Sequence, residues 1–433
     1  MLLPLAEARE RVLGPLEPLP TERLPLADAR GRVLGAEVVA PSDVPSFPNS
    51  AMDGYALRAE DTTEAPVVLE VLGTVLAGQA PNVPVTPGGA VRIMTGAPLP
   101  AGADAVCMVE LTEPAGPDRV RIAQAVPPGE HVRWPGDDLR AGQVVLRAGE
   151  VLNPASLGVL ASIGVREVEV VRRPLVGVWS TGDELSEDPG PLAVGRIRDS
   201  NRPALLARLA ADGFATLDLG ILRDDEAVVA RALREAAERC DALVTSGGVS
   251  VGDRDVVRLV LDEVSGGEMA WMQVAIKPAK PFGFGRLGSR RIPLFGLPGN
   301  PVSSLVSYEL FVRPALRRLA GHARVDRPVL AGVTEEPLPR RPDGKVHFLR
   351  VACRIREDGT LGVRSAGGQA SHQLHGMAAA QGLAVVPDGT GLPAGAPVSV
   401  LLVEADDLPG PGLTESLGVA DLASAGSGGG PRR

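Results

Sequence analysis

Lysine is the scarce base in this chain. Of 44 Lys and Arg residues only Lys277, Lys280 and Lys345 are lysines, and two of them stand together in Ile276-Lys277-Pro278-Ala279-Lys280-Pro281. Arg is a planar, delocalised fork, whereas Lys is a compact, strongly hydrated point charge. A site that keeps Lys in an Arg-rich chain needs that compact charge, and tetrahedral oxyanions such as phosphate suit it. Chance plus solvent exposure is the competing reading, and for Lys345 the two stay level. Ser246-Gly247-Gly248-Val249-Ser250-Val251-Gly252-Asp253-Arg254-Asp255 sits between an apolar strand and a helix. Its glycines let the backbone approach a ligand, and a helix start favours phosphate. Asp255 beside an anion makes sense with a divalent cation between them, or else as an acid at a helix start. Thr181-Gly182-Asp183-Glu184-Leu185 also follows an apolar strand, so Glu184 and Asp255 project from one sheet edge. Two such acids fit Mg²⁺, with phosphate oxygens completing its shell; a polar surface loop is the plainer alternative.

Gly296-Leu297-Pro298-Gly299-Asn300-Pro301-Val302-Ser303-Ser304 is the third strand-to-helix turn of this kind. Pro298 and Pro301 stiffen it, and Asn300 is placed to cap a helix that begins at Pro301. The first-turn amides with the Ser303 and Ser304 hydroxyls would form an oxyanion cradle. Pro48-Asn49-Ser50-Ala51-Met52-Asp53-Gly54-Tyr55-Ala56 places Asp53 either as a ligand for metal or substrate or as an ordinary Asp-Gly turn acid. Arg92-Ile93-Met94-Thr95-Gly96-Ala97 and Gly136-Asp137-Asp138 read as strand-to-turn material. His372 and His375 have metal-ligand spacing but no third ligand nearby, and are read as ordinary surface histidines. Cys107, Cys240 and Cys353 lack the spacing of a zinc site or disulfide framework and read as buried free thiols in a reducing cytosol.

The elements that must hold these segments alternate in kind. Leu3 to Leu13 is an amphipathic helix, and Asn153-Pro154 opens another that runs to Ile163. Between them, short Gly- and Pro-bounded strands such as Val67 to Leu72 signal an inserted β domain, which makes the flanking helical module discontinuous. From Pro174 onward apolar strands alternate with helices, the rhythm of a mostly parallel sheet covered on both faces. Short strands return from Arg327 to Ala405. The expected fold is therefore multidomain α/β plus β. Residues 1–41 and 141–173 form a discontinuous N-terminal module and 42–140 an inserted β domain; 174–321 form a central α/β domain, 322–406 a C-terminal β-barrel-like domain, and 407–433 a flexible tail. A net charge of −9 and 3% aromatic residues argue against nucleic-acid binding. The N-terminus lacks a basic region and no apolar stretch is long enough for a membrane span, so a cytoplasmic protein is expected.

Taken in order, six segments make the chain resemble the molybdopterin molybdenumtransferases, the molybdenum insertases of cofactor biosynthesis, and the C-terminal domain of gephyrin. They are Asn49 to Ala56, Arg92 to Ala97, Ser180 to Leu185, Ser246 to Gly252, Lys277 to Pro281 and Gly296 to Ser303. The resemblance spans residues 3–405. It implies a homodimer whose central domain has the molybdopterin-binding fold. The reaction it implies takes adenylylated molybdopterin and molybdate and hydrolyses the adenylate with Mg²⁺ as cofactor, leaving molybdenum on the dithiolene and releasing AMP. By motif position it makes Asp53, Thr95, Asp138, Glu184 and Asp255 active-site residues, with Glu184 and Asp255 holding the metal. Ser246, Gly247, Gly248, Ser250, Lys277, Lys280, Pro298, Pro301, Ser303, Arg350 and Ser371 would line the region that receives the two substrates. Asp137 competes with Asp138 for its place, and Lys345 with Arg350. Pro48 stands where the family usually has Asp, and Ala279 where it usually has Gly. The alternatives are a molybdopterin adenylyltransferase, which resembles the central domain alone and is otherwise a candidate partner, and a non-catalytic scaffold of the gephyrin type.

Overall fold

The computed structural model describes residues 2–223, 225–248, 256–404 and 408–410. The chain divides into two compact units, one of residues 23–170 and one joining the first 22 residues to 171–433.

Helix α1 (Leu5–Leu13) opens the chain and packs Ala8 and Val12 into the large core of the second unit. In the 23–170 unit, β1 (Gly54–Leu57), β2 (Val67–Val75), β3 (Gly89–Ile93), β4 (Ala105–Met108), β5 (Thr112–Pro114) and β6 (Arg119–Ile122) form one sheet in the order β4-β1-β3-β2-β6-β5. A separate core of this unit draws Ala29, Leu34 and Ala40 from before that sheet, and Leu139, Leu152, Leu160 and Val170 from after it. Helix α2 (Pro154–Ser162) contributes Leu160. The Asn153 side chain accepts from the Ser156 amide at 2.9 Å, which is the capping expected of Asn followed by Pro.

The other unit contains the mixed sheet that matters for function. Its elements are β7 (Leu175–Thr181), α3 (Asn201–Ala211), β8 (Ala215–Leu222), α4 (Glu226–Arg239), β9 (Ala242–Ser246), α5 (Val256–Val264), β10 (Ala270–Gln273), β11 (Ile276–Lys277), β12 (Pro281–Leu287) and β13 (Ile292–Leu297). The strand order is β8-β7-β9-β13-β12-β10; the first four are parallel, and β12 runs antiparallel to both its neighbours. Strands β7, β9 and β13 are almost wholly buried, as near-continuous apolar runs in a covered parallel sheet should be.

After β13 the chain runs through α6 (Pro301–Ser307), a π-helical stretch at Tyr308–Val312 and α7 (Arg313–Leu319). Pro314 explains the break in α-helical hydrogen bonding: it has no N–H and its ring crowds the carbonyl one turn back. Strands β14 (Val329–Thr334), β15 (Val346–Ile355) and β16 (Leu361–Ser365) follow, then helix α8 (Leu374–Ala378), β17 (Gly382–Val386) and β18 (Pro397–Leu402). The order β15-β16-β14-β18-β17 closes through β15–β17 pairing into a five-stranded barrel, so the expected C-terminal barrel is present. Strand β11 adds to its β15 edge. The tail expected from residue 407 lies outside the described residues apart from 408–410. All three cysteines are buried free thiols; burial pushes Cys353 up to about 11 and raises Cys107 and Cys240.

Candidate functional site

Register decides where the motifs of the second unit go. Ser180 of β7 pairs with Ser246 of β9, and Ser246 pairs with Leu297 of β13. Three adjacent parallel strands therefore end level, and the loops beginning at Thr181, Gly247 and Pro298 leave from one edge, where open α/β sheets bind ligands. The loops touch. The Gly247 amide donates to the Leu297 carbonyl at 3.0 Å. A Cβ on Gly247 would lie 2.9 Å from the Thr181 carbonyl oxygen. Gly248 has φ +72 and a Cβ there would meet Val257 Cβ at 2.5 Å, so the second glycine also lets the loop pack on α5. Gly248→Ala is accordingly expected to cost about 3 kcal/mol of stability, read as a lowered urea midpoint. Ser250 and Asp255, expected substrate and metal residues, lie outside the described residues.

Glu184 is exposed, and its carboxylate folds back over Gly182, 2.5 Å from where a Cβ at that position would stand. That is why Gly precedes the two acids: any side chain at 182 would displace the carboxylate. Sequence reasoning singled out neither Asp199 nor Asn201. The structure makes Asn201 the first residue of α3, with Ser200 in the cap position. Asn201 Nδ2 donates to Ser246 Oγ and to the Gly299 carbonyl, both at 2.7 Å. Asp199 Oδ1 accepts from Ser180 Oγ at 3.0 Å. The signal available in the sequence was a polar Asp-Ser-Asn run directly before a helix in a domain that already had two polar strand ends.

The cradle expected at α6 needs correction. Asn300 occupies the cap position but makes no side-chain cap bond. Pro301 has no N–H, the Val302 amide donates to the Ser371 carbonyl at 3.1 Å and the Ser304 amide to the Asn300 carbonyl at 3.0 Å. The backbone donors of this turn are largely consumed, so an anion here must be met by side chains. Ser303 is buried at 5% exposure, and Ser304 Oγ is buried without a hydrogen-bond partner among the described residues. The Val302–Ser371 bond nevertheless brings Ser371 against α6, which joins two expected substrate residues.

Arg350 is fully buried on β15. One of its nitrogens, Nη2, donates to the carbonyls of Gly368 and Ala370, just before Ser371. Among the described residues its Nε and Nη1 are buried with no partner, and no carboxylate pairs with it. Burial lowers its pKa, yet an arginine stays charged. Lys345, its rival, is already committed to Asp343 at 2.9 Å in a cluster with His347. Lys277 and Lys280 are both exposed, on a loop closed by the Val274 amide donating to the Lys280 carbonyl at 2.8 Å. Lys277 lies opposite His347 in the β11–β15 pairing, three residues before Arg350 on the partner strand. Ala279 between the lysines has φ +71, a left-handed backbone that explains why Gly is usual there. His372 and His375 are exposed, and among the described residues no group of three or more His, Cys, Asp or Glu could hold a metal.

In the 23–170 unit, Asp53 and Thr95 are brought together. Asp53 Oδ1 accepts from both the Thr95 amide and the Thr95 hydroxyl, each at 2.7 Å. These two bonds, the backbone one first, hold the Asp53 carboxyl below the usual carboxylate range, with the Arg92 charge assisting. The depressed value means that these bonds favour the native state above the ordinary carboxylate pKa and that the benefit is lost as pH falls through the native pKa. Thr95→Val keeps the amide bond and loses the hydroxyl; an NMR titration of the Asp53 carboxyl should show its midpoint moving up. Asp137 accepts from the Trp134 amide at 2.6 Å and so closes its own turn. Asp138 is exposed, and its carboxylate has no hydrogen-bond partner among the described residues. Both acids are exposed, and Asp137 is the one that holds a turn.

Comparison with known proteins identifies the family. Residues 3–164 match the MoeA N-terminal region (domain I and II), 177–318 a probable molybdopterin binding domain, and 334–403 the MoeA C-terminal region (domain IV). Molybdopterin molybdenumtransferase from Haemophilus influenzae is 38% identical over 86% of this chain and 91% of its own length. Molybdopterin molybdenumtransferase 2 from Mycobacterium tuberculosis is 42% identical over 81% of this chain and 87% of its own. The crystal structure of the molybdopterin biosynthesis MoeA protein from Pyrococcus horikoshii superposes with a TM-score of 0.78 at 30% identity, covering 93% of this chain and 100% of that one. With relatives this similar over this much of its length, the chain belongs to the molybdopterin molybdenumtransferase family.

Proposed function

We propose that this molybdenumtransferase of cofactor biosynthesis takes an adenylylated molybdopterin and molybdate, releases AMP by hydrolysis and leaves molybdenum on the dithiolene. The observation that carries the reading is the level ending of β7, β9 and β13, which gathers the Thr181–Glu184, Ser246–Gly248 and Pro298–Ser303 segments on one edge. In this reading the Ser246–Ser250 loop receives the phosphate end of the pterin, because its glycines let the backbone approach a ligand at the end of a strand. Molybdate is received by Ser303, Ser371 and the free nitrogens of Arg350, on the rigid turn of Pro298 and Pro301, with Lys277 and Lys280 offsetting the charge of both anions. In the 23–170 unit the Asp53 carboxyl, held below the usual carboxylate range, and Asp138 are the acceptors that the family resemblance makes active-site residues, and the hydrolysis uses water. The water oxygen bonds to phosphorus, the bond to the AMP oxygen breaks, and the proton passes to a carboxylate.

Glu184 and Asp255 are the residues that would hold Mg²⁺. The fit is good on the Glu184 side: an exposed carboxylate at a strand end offers hard oxygen donors, and Mg²⁺ commonly takes one or two carboxylates plus phosphate oxygens. When bound, the ion neutralises phosphoryl charge. The proposal includes a homodimer in the cytoplasm supplied by a molybdopterin adenylyltransferase. No helix among the described residues is long and apolar enough to cross a membrane. Incubation with molybdopterin and ATP separates this reading from its nearest rival. No adenylate should form; its accumulation would make the protein an adenylyltransferase.

A further inference from the structure

We infer that Asn201 is a positioning residue that sets the distance between the two substrates; the inference rests on the function proposed above. Three strand ends meet at the start of α3. Asp199 holds Ser180 at the end of β7, and Asn201 holds Ser246 at the end of β9 and Gly299 in the turn after β13. Asp199 is itself held by the buried Arg202 at 3.1 Å, and Arg202 also pairs with Asp218 and Glu187. The Asp199–Arg202 turn is thus a fixed hub rather than a loop free to follow its neighbours.

The orientation of the Asn201 amide is determined. A backbone carbonyl only accepts, so the atom facing Gly299 must be the nitrogen. That same nitrogen reaches Ser246, and its two hydrogens suffice for two acceptors. Oδ1 is then left buried with no donor among the described residues. Helix starts favour Ser, Thr, Asp or Asn for the acceptor they offer to backbone amides. Here the acceptor is idle and the donors are used, so helix capping does not account for the side chain. Linking the two loops does: one receives the phosphate end of the pterin, and the other is the rigid turn beside the molybdate residues. A crosspiece between them governs how the dithiolene meets molybdate, and misplacement by about 1 Å can cost about 100-fold in rate.

The test is steady-state kinetics of Asn201→Ala with both substrates varied, beside wild type and Ser246→Ala. Asn201→Ala should lower kcat about 30-fold, with KM for molybdate and for adenylylated molybdopterin within about 3-fold and the Tm close to wild type. Ser246→Ala removes one arm and should fall between. A merely structural role would instead raise both KM values and lower the Tm, and that result, or an unchanged kcat, overturns the inference. If Asn201→Ala does not fold, Asn201→Asp replaces it: Asp suits a helix start but sets a carboxylate oxygen against the Gly299 carbonyl. It should lose kcat in the same way, and full activity overturns the inference. Wild-type protein that fails to metallate adenylylated molybdopterin would instead defeat the proposed function itself.

Discussion

Lys277→Arg is expected to lower kcat/KM about 100-fold while leaving the fold intact, although it conserves charge. The position is exposed, on a short strand that pairs with β15, so a longer side chain meets no core. A stability effect beyond about 0.5 kcal/mol is not expected for such a surface change. The loss should come from shape. Guanidinium delivers its charge through a planar fork, and ammonium as a compact point that approaches a tetrahedral oxyanion from any direction. Removing one preorganised electrostatic contact from a transition state costs about 10²–10³-fold. The tight Val274–Lys280 closure fixes where the charge stands, so the fork has little room to compensate. Lys280→Arg should show a loss of the same sign. Wild-type rates for Lys277→Arg would return this lysine to chance and solvent exposure.

Arg350→Met separates a structural from a functional arginine. A buried guanidinium without a carboxylate is costly, and apolar replacement of buried charge is often neutral or stabilising. If Arg350 served only the barrel, Met should therefore preserve stability and activity together. The account predicts a split. Stability should change by less than about 2 kcal/mol, because only the carbonyl contacts to Gly368 and Ala370 are lost. KM for molybdate should rise at least 30-fold, roughly what leaving a charged hydrogen-bonding partner unmet costs. Lys345→Met is the matched control: Lys345 is engaged by Asp343, whose carboxyl is held down to about 2, with the Lys345 and His347 hydrogen bonds among the causes. Its molybdate KM should stay near wild type.

Much of the site was legible in the sequence because its signals are local. The apolar strands before Thr181, Ser246 and Gly296 could be read from composition, and parallel register then brings their ends level. The cap at Asn153 was readable for the same reason, and its side chain accepts the expected amide. What failed depended on partners distant in the chain. Strand β12, Pro-Phe-Gly-Phe-Gly-Arg-Leu, carries Pro and Gly that speak against a strand. In the fold Pro281 stands first, and Gly283 and Gly285 make room for Trp271 and Met269, where a Cβ would come within 2.6 and 2.3 Å of their side chains. Asn201 and Asn300 both precede or open helices and look alike in sequence, yet one side chain bridges two loops and the other caps nothing. Lys345 and Arg350 look equally eligible in sequence, and the pairing of Lys345 with Asp343 depends on the fold.

The most direct measurement of the central claim follows AMP and protein-bound molybdenum together in one time course. Purified protein is mixed with adenylylated molybdopterin and Mg²⁺, with and without molybdate. The account predicts AMP release that depends on molybdate and matches, mole for mole, the molybdenum that becomes attached to the dithiolene. AMP released at the same rate without molybdate, or molybdenum attached without AMP release, would contradict it.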